Sequence, residues 1–66
     1  MATVNDHTRA EATQWALNHA EAAEGLDKAL RHETFDQDMY EKTLAELHRE
    51  VLLSNMWASI AAAMPQ

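Results

Sequence analysis

The scarcity of glycine and proline is the feature that most constrains the fold of this chain. Its 66 residues include one Gly and one Pro, so few positions favour the tight turns that join neighbouring strands. Thirteen residues are alanine, which has the highest intrinsic helix propensity. A chain of this length forms one domain at most. The composition therefore predicts a single all-α domain over residues 1–66.

The first helix is predicted over about residues 8–32 because apolar residues recur there with the helical period. Thr8 and Glu11 have the spacing of a capping box, in which each side chain accepts from the other residue's backbone N–H. Gly25 could break this helix and give three short helices in all. The apolar pattern keeps its phase across Gly25, so we expect one continuous helix. The residues predicted on its inner face are Ala12, Trp15, His19, Ala22, Ala23, Leu26, Ala29 and Leu30.

A turn is predicted at about residues 32–35, where basic residues that suit a helix carboxyl end are followed by acidic residues that suit an amino end. Thr34 and Gln37 again have capping-box spacing. The second helix should cover about residues 35–64, since Pro65 cannot continue it with a normal hydrogen bond.

With so short a turn, the two helices should lie antiparallel as a hairpin, in which the numbers of facing residues sum to about 67. This register places His19 level with His48. The residues expected to face the first helix are Tyr40, Leu44, Leu47, Val51, Ala58 and Ala61. A second apolar row on the same helix consists of Phe35, Met39, Leu53, Trp57, Ile60 and Met64.

Residues 51–64 carry no charged side chain, and apolar residues there occupy most of the circumference of the second helix. The segment is shorter than the roughly 20 residues of a membrane span, so we expect no membrane partner. One neighbouring helix cannot cover it, which predicts a homodimer that forms a four-helix bundle. A different protein partner and a higher oligomer are the alternatives. The predicted interface residues are Leu53, Met56, Trp57, Ile60 and Met64.

His19 and His48 are the candidate metal ligands. A dimer would bring two such pairs together, and they could form a zinc site or a pH-sensitive layer. No carboxylate stands at a helical spacing that convincingly completes the site, so a hydrogen-bonded polar layer is the simpler interpretation. We therefore predict no metal site and no cofactor.

The charge pattern excludes several classes of function. The formal net charge is −6, from 11 acidic and 5 basic residues, whereas binding to a phosphate backbone requires clustered Lys and Arg. We expect no nucleic-acid partner, although the acidic face could imitate DNA and inhibit a DNA-binding protein. The sequence contains no phosphate-binding loop and no nucleophile–base arrangement, so we do not expect an enzyme. The absence of cysteine and of a signal-peptide pattern favours the cytoplasm.

The stretch "LAELHREVLLSNMWASIAAA" resembles short, uncharacterised Ala-rich helical proteins of high-GC actinobacteria and their phages. This resemblance implies a small cytoplasmic accessory protein of bacterial or phage origin, and it supplies no site residues. Together with the composition, it favours a non-catalytic protein–protein interaction or regulatory module. Its expected partners are a second copy of itself and a larger host or phage protein. A structural assembly component or a histidine-based metal or pH sensor would also fit the sequence.

Overall fold

The computed structural model describes residues 8–64 as two α-helices joined by a short connection. Helix α1 spans Arg9–His32 and helix α2 spans Gln37–Ala63, and the two pack against each other along their length. The predicted all-α helical hairpin is therefore confirmed. Within residues 8–64, neither helix has an apolar stretch long enough to cross a membrane.

The amino end of α1 carries the predicted capping box. The backbone N–H of Glu11 donates to Oγ1 of Thr8 at 3.0 Å, and the N–H of Thr8 donates to Oε1 of Glu11 at 3.3 Å. These bonds satisfy two of the backbone donors that a helix start leaves without a partner. Gly25 lies inside the helix with a negative φ, so the alternative of a break there is wrong.

The connection covers residues 33–36, slightly later than predicted. Asp36 is the N-cap of α2, and its carboxylate accepts the backbone N–H of Met39 at 2.8 Å. The predicted capping box of Thr34 with Gln37 is therefore wrong, because the carboxylate of Asp36 takes the cap position. The later helix start also shifts the register of the hairpin, so that Glu50 lies opposite His19 where His48 was predicted.

The contact between the helices is built from small side chains. Among residues 8–64, the buried positions are Ala12, Ala16, Ala23 and Ala61, and no large side chain is fully buried. Buried and half-buried residues on both helices recur at alternating intervals of three and four, the spacing of antiparallel helices that pack side by side. We call this set the hairpin seam: Ala12, Ala16, His19, Ala23 and Leu26 of α1 with Leu47, Glu50, Ser54, Trp57 and Ala61 of α2.

The seam corrects the predicted orientation of α2. Tyr40 and Val51, which were expected to face α1, are 44% and 42% exposed, whereas Glu50 and Ser54 turn inward. On α1, Ala22 is exposed and Ala16 takes an inner position. Apolar periodicity misplaced these residues because it assigns Glu50 and Ser54 to the solvent, although both find polar partners inside the seam.

Candidate interaction surface

Two tryptophans join the helices near the open end of the hairpin. The rings of Trp15 and Trp57 have centroids 4.5 Å apart and planes inclined at 68°, an edge-to-face arrangement that aromatic pairs favour. Both side chains are half-buried. Trp57 was predicted at an oligomer interface, and the structure shows it packed against Trp15 within the hairpin. A substitution of Trp57 would therefore disturb the fold as well as any interface.

A polar layer crosses the seam one turn further along. The ring of His19 donates through Nδ1 to Oε2 of Glu50 at 2.5 Å, since a carboxylate can only accept. The hydroxyl of Ser54 donates to the backbone carbonyl of Ala16 at 2.8 Å. The side chains of His19 and Glu50 are 30% and 24% exposed, so water screens their interaction only in part. These two hydrogen bonds fix the position of α2 along the length of α1.

The structure does not assemble the candidate metal ligands. His19 is engaged with Glu50, and His48 is exposed. Among residues 8–64, no three His, Asp or Glu side chains form a group that could hold a metal ion.

Large apolar side chains are exposed along α2. Leu52 is 68% exposed, the highest value among the large apolar residues described, and Met56 is 43% exposed. Of the other predicted interface residues, Leu53, Ile60 and Met64 are half-buried at the edge of the seam. Leu52 was missing from the predicted interface. A prediction that placed Glu50 inward would have identified Leu52 as exposed. Leu52 follows Glu50 by two residues, or about 200°, and so lies on the opposite side of the helix.

Four exposed residues follow one line on the side of α2 that points away from α1. We call them the outer stripe: Leu52, Met56, Ser59 and Ala63. Each follows a seam residue by two places, so the stripe repeats the spacing of the seam on the opposite side of the helix. No charged residue lies among them or between them.

A shallow groove runs along one flank of the hairpin, with a volume of about 330 Å³. On α1, Leu17 is 53% exposed at this groove, the only large apolar residue of that helix with such exposure among those described. The residues that line the groove are Arg9, Thr13, Ala16, Leu17, Ala58, Ala61 and Ala62.

Comparisons with known proteins add no relatives: no family model matches the sequence, and neither a curated protein nor a solved structure matches it. The function must therefore be inferred from the surface of the molecule itself.

Proposed function

We propose that the protein is a non-catalytic protein–protein interaction module that works as a homodimer of hairpins. The observation that supports this most directly is the composition of the core. Within residues 8–64, every buried side chain is an alanine, and large apolar residues such as Leu52 and Met56 remain exposed. A soluble chain with this distribution gains stability when a partner covers the larger side chains.

The shape of the hairpin supports the same proposal. The molecule measures 45 × 22 × 13 Å, so it is a single layer of helices, whereas domains normally bury their apolar faces between two layers. Its radius of gyration is 14.6 Å, compared with about 11 Å for a compact chain of this length. A second hairpin would cover part of the apolar surface that this single layer leaves exposed, and would bring the assembly to four helices.

The exposed area is also of the right size. The accessible surface is 5032 Å², whereas a compact protein of 7.5 kDa exposes about 4,200 Å². The excess of about 800 Å², part of which reflects the elongated shape, is similar to the area that one partner contributes to an interface of standard size. Dimerisation would therefore bring the exposed area per chain close to that of an ordinary small protein.

The proposed dimer leaves a second surface free for a larger protein. Glu21 and Glu24 on α1 are exposed, and their charges would keep the dimer soluble. We place the module in the cytoplasm, since a chain without cysteine needs no oxidising compartment. The regulatory partner would be a larger host or phage protein that recognises this acidic face.

The mass of the protein in solution tests the proposal. Light scattering coupled to size-exclusion chromatography, over a wide concentration series, should show a mass that reaches twice 7.5 kDa and then stays constant. A mass of one chain at every concentration would contradict the homodimer. Continued growth with concentration would also contradict it, and would instead favour a structural assembly component.

A further inference from the structure

The uncharged segment of α2 has the pattern of a surface that pairs with itself. We propose that residues 51–64 bind the same residues of a second copy in antiparallel orientation, about a two-fold axis that passes between Trp57 and Ala58. The outer stripe would form the centre of this contact. The inference rests on the proposed homodimer and specifies which surface forms it and in which direction the two chains run.

The distribution of charge favours this placement of the axis. The axis lies at the midpoint of the uncharged segment, so each residue from 51 to 64 lies level with another residue of that segment in the second copy. Arg49, which follows the seam residue Leu47 by two places and so continues the line of the outer stripe, then lies beyond the contact. An axis nearer to the amino end of α2 would bring this charged residue against the apolar side chains of the second copy, where desolvation is costly.

The sizes of the side chains also match across the axis. Leu52 would face Ala63 of the second copy, and Met56 would face Ser59 of the second copy. Each large side chain thus meets a small one, which allows two helices to interdigitate without voids. All four residues are exposed in the hairpin, so the contact requires no rearrangement of the seam. Its length is about 20 Å at the rise of an α-helix.

Electrostatic repulsion selects the antiparallel direction. The connection between the helices is acidic, with Glu33, Asp36 and Asp38 all exposed. Parallel pairing would place these residues beside their counterparts in a chain that already carries a net charge of −6. Antiparallel pairing would separate the two connections by about 60 Å, since each lies about 20 residues from the axis. That distance far exceeds the screening length of about 8 Å at physiological ionic strength.

Disulfide cross-linking tests the direction and the register together. The natural sequence has no cysteine, so each introduced thiol is unique. We expect a mixture of Leu52→Cys chains and Ala63→Cys chains to form a mixed disulfide, and either variant alone to form none. In the proposed dimer, the two copies of residue 52 lie about 16 Å apart along the helix direction, as do the two copies of residue 63. A disulfide requires Cα atoms within about 7 Å. If each variant cross-links with itself and the mixture yields no mixed disulfide, the proposal is overturned in favour of parallel pairing.

A matched pair of charge substitutions tests the surface. Leu52→Glu should weaken dimerisation at least about tenfold, because a carboxylate would be buried against apolar side chains. Leu17→Glu introduces the same charge at a similarly exposed position on α1 and should leave the dimer intact. Circular dichroism should show unchanged helix content in both variants, since neither side chain is buried in the hairpin.

The outcomes distinguish this inference from the proposed function. The pairing through the outer stripe would be overturned if the wild type is a dimer but the two cysteine variants form no mixed disulfide. It would also be overturned if Leu17→Glu disrupts the dimer and Leu52→Glu does not. The homodimer itself would stand in both cases, and in the second case the groove beside Leu17 would be its contact. A wild-type chain that stays monomeric at every concentration would overturn both.

Discussion

The two helices of the hairpin use their surfaces differently. Helix α1 places alanines against its neighbour and charged residues such as Glu21, Glu24 and Lys28 towards the solvent. Helix α2 meets α1 through a mixed row of Leu47, Glu50, Ser54, Trp57 and Ala61, and it carries further apolar residues on its other sides. Among the residues described, Leu17 is the one large apolar residue that α1 exposes, whereas α2 exposes several. The difference is the reason to seek the proposed dimer contact on α2.

The alanines of α1 explain how so small a protein forms a hairpin at all. Side chains of minimal size allow the helix axes to approach closely, and this brings Trp57 and Ser54 of α2 into contact with α1. The larger apolar residues then lie at the edges of the seam, where they remain half-exposed. Close packing through small side chains thus leaves apolar area exposed on the hairpin.

The largest effect is expected from enlarging the seam on α1. Ala23→Leu adds three carbons at a position that is 8% exposed, so the helices must separate or the side chain must adopt a strained rotamer. We expect a loss of about 1–3 kcal/mol, and a fall of the melting temperature by several degrees or more. Thermal unfolding followed by circular dichroism measures this loss, at one fixed protein concentration because the proposed association would also contribute to the apparent stability.

Ala20→Leu is the control for this substitution, because Ala20 is exposed on the same helix. It should change the melting temperature little. Similar losses in the two variants would contradict the close approach of the helices at Ala23, and with it the role assigned to the alanines of α1.

Much of the fold was predictable from local sequence patterns. The capping box of Thr8 and Glu11, the continuity of α1 through Gly25 and the hairpin itself follow from helix propensity, spacing and the shortness of the connection. The N-cap of α2 was missed because Thr34 and Asp36 are both good caps, and only the geometry of the connection selects Asp36.

The orientation of α2 was less predictable. Apolar periodicity placed Tyr40 and Val51 inward, since several faces of this helix are apolar and the pattern does not choose among them. The choice depends on two polar pairs between distant parts of the chain, His19 with Glu50 and Ser54 with the carbonyl of Ala16. Such pairs leave no periodic signal, and for this reason Leu52 was not recognised as an interface candidate.

A double-mutant cycle on His19 and Glu50 should show an intermediate effect. The two side chains are mostly shielded from water, so we expect His19→Ala and Glu50→Ala to be coupled by about 1 kcal/mol. Denaturant unfolding of the wild type, the two single variants and the double variant gives this coupling energy. A coupling energy near zero would show that the polar layer does not fix the position of α2 along α1.

The ion pair of Arg31 with Asp27 provides the matched comparison. Its Nη2 and Oδ2 atoms lie 3.0 Å apart within α1, but the side chains are 70% and 42% exposed. Solvent screening should limit its coupling to about 0.3–0.5 kcal/mol. A larger coupling here than at His19 and Glu50 would mean that the seam shields its polar layer less than the burial of these side chains indicates.

A small gain in stability is expected at Gly25, and it tests the description of α1 as one continuous helix. A Cβ atom added at this position would meet nothing within 4 Å, and the backbone has the negative φ of an ordinary helical residue. Gly25→Ala should therefore stabilise the protein by about 0.5–1 kcal/mol, because alanine restricts the unfolded chain and favours the helix. The reverse change at an exposed position of the same helix, Ala22→Gly, should lower the stability by a similar amount. Equal and opposite shifts in melting temperature would show that α1 is uniformly helical through residue 25, whereas a loss of stability in Gly25→Ala would mean that α1 needs the freedom of glycine there to bend around α2.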